Sequence, residues 1–306
     1  MRIAVIGTSG QLGFDLARVL PGRPGGGHEV LGFGGRAELD ICDAGAFGAM
    51  LEREKPAAVI NTAAFHNVDL CEKETDAAYR TNVVAVREMA KACEARGVLL
   101  MQIGTDYVAE GWPVCQPIPE TAAVFPNSIY SLTRFGGDCM TLAHAPTVGY
   151  VVRSCGLFGV AGCKLKGGLN FVDTMIKAAR DGKKLRVVDD QIVAPTPTDD
   201  LSVQLATMLE AAAPEGGGGR QKCPPGLYHA VSHGETSWYG FAKAALEMAG
   251  VPHEIVAVAS SEYAAPAKRP RYSVLDNAKL RGLSLDVMGD WRVGLARYVK
   301  AKYPAA

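Results

Sequence analysis

Residues 2–13, RIAVIGTSGQLG, decide the fold. Residues 2–6 are a short apolar run ending in glycine, and residues 11–20 carry helical spacing, so a strand, a tight turn and a helix follow one another. Gly7, Gly10 and Gly13 fall in the turn and at the helix entry. Glycines there let the backbone turn sharply and approach a pyrophosphate. The helix opening at Gln11 and Leu12 adds unpaired amides and the positive end of its dipole. Three glycines so spaced arise by chance in a chain with 35 glycines. The strand–turn–helix context is what points to a dinucleotide site.

The pattern continues outward. Residues 28–33, 58–61, 98–103 and 149–153 read as further strands. Asp43 is placed to cap a helix reaching Lys55, which Pro56 stops. Residues 69–96 read as one long helix ended by Gly97. The strands are continuous apolar runs, as when helices cover both faces of a sheet. This alternation predicts an α/β fold, a Rossmann-type doubly wound parallel sheet. The second half is less regular. Residues 131–143, 171–180, 201–213, 238–249 and 291–302 read as helices, and 21–27 and 214–225 as loops. The expected division is a dinucleotide-binding domain at 1–153, with 187–213 returning to it, and a smaller α/β C-terminal substrate domain from 154–186 and 225–306.

The 306 residues carry 32 Lys plus Arg and 32 Asp plus Glu, a net charge of zero that argues against a nucleic-acid partner. With 48% hydrophobic and 21% charged residues, the composition is that of a globular chain. No apolar run reaches the roughly 18 residues of a membrane helix, so no membrane partner is expected. The opening MRIAVIGTSG is too short for a signal peptide, and a cytoplasmic location is expected. Eight scattered cysteines without a CxxC pair read as reduced thiols, with no metal site.

Two constellations carry chemistry. The second strand ends in Phe33-Gly34-Gly35-Arg36. No acid stands at this tip to hold a ribose 2′-hydroxyl, and Arg36 suits a 2′-phosphate. NADPH is the expected cofactor, with NADH open, and Arg36 reads equally as a solvated loop residue. Asp40 and Ile41 follow, either lining an adenine pocket or serving the turn. The second constellation is Thr105, beyond a parallel strand's C-terminal end, with Tyr130 and Arg134 four residues apart on one helix face. A cation beside a phenol favours the phenolate, and a threonine hydroxyl can hold a substrate oxygen.

Several blocks in order over nearly the whole chain resemble the dTDP-4-dehydrorhamnose reductase family of extended short-chain dehydrogenase/reductases. They are the glycine turn, LDICD (39–43), NTAAFHNVD (61–69), GTDYVAEG (104–111), PNSIYSLTRFG (126–136), RSCGLFG (153–159), VDDQIVAPT (188–196) and YAAPAKRPRYSVL (263–275). The resemblance implies reduction of the 4-keto group of a nucleotide-activated deoxysugar by NADPH or NADH. It makes Thr105, Tyr130 and Arg134 the catalytic set. Ala63 and Ala64 flank the cofactor and Asn82 supports the site. His66, Val68, Asp106, Gly156, Asn170, Trp238 and Arg269 fall on substrate-binding positions, and a homodimer is possible. Bland readings stand beside these: Asn170 as a helix cap, Trp238 as a core aromatic, Arg269 as a surface residue.

Three departures stand out. Arg134 occupies a lysine position, and arginine does not release a proton. Gly156 stands where the family has tryptophan. Gly104 replaces a small hydroxyl residue, and His66 stands where threonine is common. Two rivals follow: a non-catalytic binding homologue, like the regulatory subunit of methionine adenosyltransferase, and a sugar-nucleotide epimerase or dehydratase. Dehydratases of this fold carry Asp-Glu after the threonine; here Asp106 is followed by Tyr107.

Overall fold

The computed structural model describes residues 1–24, 27–109, 112–162, 167–213, 221–263 and 266–304. The first half runs β1 (Arg2–Ile6), α1 (Gln11–Val19), β2 (Glu29–Phe33), α2 (Ala44–Glu54), β3 (Ala58–Asn61), α3 (Val68–Cys71), α4 (Thr75–Tyr79), α5 (Ala85–Glu94), β4 (Leu99–Thr105), α6 (Ile129–His144) and β5 (Gly149–Ser154). The second half adds β6 (Leu157–Phe158), α7 (Phe171–Arg180), β7 (Leu185–Val188), β8 (Ile192–Val193), β9 (Thr196–Pro197) and α8 (Thr198–Ala212). After these come β10 (Gly226–His229), β11 (Thr236–Ser237), α9 (Trp238–Met248), β12 (Ile255–Val258), α10 (Ala278–Gly282) and α11 (Trp291–Lys302).

Six strands form one parallel sheet in the order β10-β5-β4-β3-β1-β2. Alternate side chains of β1 feed opposite faces. Ile3 and Val5 join Leu12, Leu16, Leu201 and Leu205 from α1 and α8. Ala4 and Ile6 join Phe47 and Met50 of α2 and Val86 and Met89 of α5. The strand order reverses between β1 and β3, and ligands of such sheets bind at that crevice. A third apolar cluster, with Phe158, Val172, Phe241, Trp291 and Leu295, holds α7, α9 and α11 together.

Three expectations need correction. Residues 69–96 are not one helix. The chain breaks after α3, and a π-helical turn, Arg80–Val84, interrupts the rest. A π turn admits one extra residue per turn, and here it presents the Asn82 side chain inward. Gly226–His229, expected with the substrate region, extends the main sheet beside β5. Val187 and Val188, expected to return to the first domain, pair instead with β12. Helix α8 does return and packs against α1. Most of the glycine-rich segment expected as a loop, 214–220, lies outside the described residues, as does Cys163. No helix among the described residues is long and apolar enough to cross a membrane.

Candidate active site

Four C-terminal strand ends build the site. At the end of β1, Gly7 has φ +92°, and a Cβ there would collide with the Thr62 hydroxyl. A Cβ on Gly13 would strike the Gly7 carbonyl, so helix and turn pack backbone to backbone. Gly10 caps α1 with no side-chain bond, and the first turn holds no acid. The first amides and the positive dipole end are therefore left for an anion. Gln11 donates to the Leu157 carbonyl at 3.1 Å, while its Oε1 is buried without a partner. The glycine turn and the uncapped α1 amides fit a dinucleotide pyrophosphate. Leu12 is buried in the core below the turn.

At the β2 tip, Arg36 is exposed. The expectation that no acid stands there fails in space. Glu38 folds back and accepts from the Gly34 amide at 2.8 Å. The four-residue separation hid this from a linear reading of the strand end. Asp40 serves a turn, accepting from the Cys42 amide at 2.9 Å, and the Ile41 side chain lies in the core rather than in an open pocket.

Beyond β3, Ala63 and Ala64 lie half-buried, and His66 is exposed. Asn82 holds this loop. Its Oδ1 accepts from the Phe65 amide at 2.9 Å, and its Nδ2 donates to the Phe65 carbonyl and to Thr133 Oγ1. One buried amide thus ties the loop to the π turn and to α6. Val68 opens α3, which Asn67 caps.

At the end of β4, Thr105 meets α6. Ser128 caps α6 through a capping box with Ser131, and Glu72 Oε1 accepts from the Ile129 amide at 2.8 Å. The first turn is thereby fixed, and Tyr130 sits on it. The Tyr130 phenol lies beside the Thr105 side chain. Tyr107 meets its ring edge-on, 5.4 Å between centroids. Arg134 is buried one turn on. Its Nη2 donates to the Ile103 carbonyl, and its Nε is buried without a protein partner, a donor left over for a ligand.

The sequence suggested that Arg134 would make the phenol acidic. In the structure burial is the larger influence and raises the Tyr130 pKa above its ordinary value, while Arg134 and the neighbouring Thr105 side chain pull it down. A phenol so placed stays protonated at neutral pH, which suits a proton donor.

The substrate-binding positions scatter. Asp106 is buried, its carboxyl turned to Thr105, Cys155 and Ser273 rather than to an open cleft. Asn170 is spent on structure. It caps α7 and donates to Gly159 and Tyr298, so capping outweighs substrate contact. The Trp238 ring packs 4.7 Å from Phe171, as a core aromatic would. Arg269 pairs with Asp69 at 2.8 Å, near Val68. Gly156 has φ +54° at the turn into β6, a backbone that a tryptophan would strain. The linear reading missed Thr62, Cys155 and Ser273, whose neighbours come from distant segments. Among the described residues no group of three His, Cys, Asp or Glu side chains converges on a metal position.

Comparison with known proteins gives a consistent result. The family model for the RmlD substrate binding domain matches residues 1–303. A dTDP-4-dehydrorhamnose reductase of Streptomyces griseus is 37% identical over 295 residues, 96% of this chain and 91% of the relative. The crystal structure of a dTDP-4-dehydrorhamnose reductase from Clostridium acetobutylicum superposes with a TM-score of 0.87 at 32% identity, covering 98% of this chain and 99% of that one. The Bacillus anthracis dTDP-4-dehydrorhamnose reductase, solved in complex with NADP, gives 0.86 at 29% identity, covering 98% and 99%.

Proposed function

Because this chain belongs to the RmlD substrate binding domain family, we propose that it reduces the 4-keto group of a dTDP-activated deoxysugar with NADPH. The observation that carries the reading is the convergence of Thr105, at the end of β4, and the buried guanidinium of Arg134 on the Tyr130 phenol. The glycine turn and the α1 amides would hold the pyrophosphate. The unpartnered Arg134 Nε would meet a ribose hydroxyl. NADPH, when bound, supplies the hydride.

The chain's own residues supply the rest. Thr105 orients the sugar carbonyl oxygen. Tyr130 gives its proton to that oxygen as negative charge develops on it. Arg134 holds a fixed charge that stabilises the phenolate left behind. Ketone reduction asks Tyr130 to be an acid, and burial keeps the proton on it until it is needed. Arg269 would hold the diphosphate through its planar fork of donors. A cytoplasmic homodimer completes the reading, and a monomer mass by light scattering would remove the dimer.

The deciding experiment follows NADPH absorbance with dTDP-4-keto-6-deoxy sugars. Loss of absorbance with wild type, and its abolition in Tyr130→Phe with NADPH affinity kept, is the expected result. NADPH binding with no turnover on any keto-sugar nucleotide would defeat the reading.

A further inference from the structure

Thr133 is buried on α6 between Tyr130 and Arg134, and the mechanism above leaves its hydroxyl unused. That hydroxyl is engaged on both sides. Its hydrogen is shared between the Ile129 carbonyl at 2.8 Å and the Tyr130 carbonyl at 3.1 Å, and its oxygen accepts from Asn82 Nδ2 at 3.1 Å. A side-chain bond to carbonyls one turn back shapes the turn it spans. Here the spanned turn carries Tyr130. The Ile129 peptide is gripped from its other end as well, since its amide donates to Glu72 Oε1 at 2.8 Å.

Asn82 carries the link onward. Its Nδ2 also donates to the Phe65 carbonyl at 3.0 Å, and its Oδ1 accepts from the Phe65 amide at 2.9 Å. Asn82 is 2% exposed and Thr133 is 5% exposed, so water cannot readily replace a lost partner. The close approach is built into the backbone. Gly137 lies one turn beyond Thr133 on the same helix face. A Cβ on Gly137 would strike the Asn82 carbonyl oxygen, and one on Gly136 would stand 2.9 Å from Val83 Cγ2. Helix α6 therefore lies directly against the π turn Arg80–Val84, within reach of the Asn82 amide.

We propose that Thr133 is a positioning residue of the reduction: through Asn82, its hydroxyl holds the Tyr130 turn in register with loop 63–66. The proposal rests on the reductase reading and deepens it. In that reading Ala63 and Ala64 flank the cofactor and Tyr130 gives the proton. The placing of loop against turn then sets how hydride donor and proton donor meet one carbonyl group. Thr133 itself touches neither substrate nor cofactor. Only a hydroxyl both donates and accepts at this junction. Valine matches the shape and does neither, and serine does both. Loss of register costs rate more than affinity, because the α1 amides that hold the pyrophosphate are untouched.

Steady-state kcat and KM test this for wild type, Thr133→Val, Thr133→Ser, Asn82→Ala and the Asn82→Ala/Thr133→Val double variant. Amide hydrogen exchange at Phe65 is followed in the same proteins without ligands. Thr133→Val should lower kcat on the order of tenfold and leave KM for NADPH within about twofold. It should quicken Phe65 exchange about fivefold, because Asn82 is left with an orphaned donor. Thr133→Ser should restore both. The double variant should be no slower than Asn82→Ala alone, since both substitutions break one link. Thr133→Ala removes the same hydroxyl and carries the same expectations should the valine variant not fold.

A wild-type kcat in the valine or alanine variant overturns the proposal. So do a serine variant as slow as valine, losses that multiply in the double variant, and Phe65 exchange that does not change. A wild type that oxidises no NADPH with any keto-sugar nucleotide defeats the functional reading instead. The exchange rates then still decide whether Thr133 holds the loop through Asn82.

Discussion

Arg153 Nε donates to Asp138 Oδ2 at 2.8 Å with both side chains almost wholly buried, and the Cα of Gly104 lies directly against the pair. A Cβ at position 104 would stand 2.8 Å from Arg153 Cγ and 3.2 Å from Asp138 Oδ1. The glycine that departs from the family's hydroxyl residue is therefore what the ion pair leaves room for. Gly104→Ser should cost about 1–3 kcal/mol by overpacking. Asp138→Asn, which strands a buried guanidinium, should cost about 3–5 kcal/mol. Urea unfolding measures both, and a serine variant as stable as wild type would show that the pair has other room.

Arg134 gives a second prediction. Its charge lowers the Tyr130 pKa, while its Nη2 is committed to the Ile103 carbonyl. Arg134→Ala removes both and should reduce kcat on the order of 100-fold. Arg134→Lys keeps the charge and should recover activity to within about tenfold of wild type, since a lysine lacks the fork that spans the carbonyl and the ligand side together. Steady-state NADPH consumption decides it. Equal activity of the alanine variant and wild type would remove Arg134 from the mechanism.

The parts of this site differ in how openly the sequence displays them. The glycine turn was legible because β1, the turn and α1 are contiguous, and the bounds of α7, Phe171–Arg180, followed from local spacing and the Asn170 cap. Thr105, Tyr130 and Arg134 were legible as residue types, and the fold does bring them together. The surroundings of Asp106 were not. Its burial depends on Cys155 beyond β5 and on Ser273 near the C-terminus, contacts that no local pattern encodes. The π turn was hidden for a similar reason. Local propensity favours continuous helix, and the Asn82 bonds to Phe65 and Thr133 come from other segments. Short strands such as β7 and β12 exist because they pair with each other.

Glu38 supports a prediction on cofactor choice. Its carboxylate is held at the β2 tip by the Gly34 amide, close to exposed Arg36. Negative charge there opposes a 2′-phosphate, and Arg36 attracts one. Glu38→Gln should raise the NADPH-to-NADH ratio of kcat/KM by about threefold, a size suited to a solvent-screened charge. Arg36→Ala should lower the same ratio. Competitive kinetics with both coenzymes give the two ratios, and a ratio indifferent to both substitutions would show that the tip does not read the 2′ position.

The Asp69–Arg269 pair sets two substitutions against each other. Arg269 Nη2 donates to Asp69 Oδ2 at 2.8 Å, and Asp69 Oδ1 also accepts from the Ala267 amide at 3.3 Å. Both side chains are partly exposed, so the pair itself adds little stability. In the resting protein Asp69 holds the guanidinium that a substrate diphosphate would take. Arg269→Ala should then raise KM for the nucleotide sugar about tenfold with kcat nearly unchanged, because the contact is made equally in the ground and transition states. Asp69→Asn should lower KM, since the competing carboxylate is gone and the bidentate fork is available to phosphate oxygens. Initial rates across substrate concentration separate the two cases. A rise in KM in both variants would mean that Asp69 positions Arg269 for the diphosphate instead of competing with it.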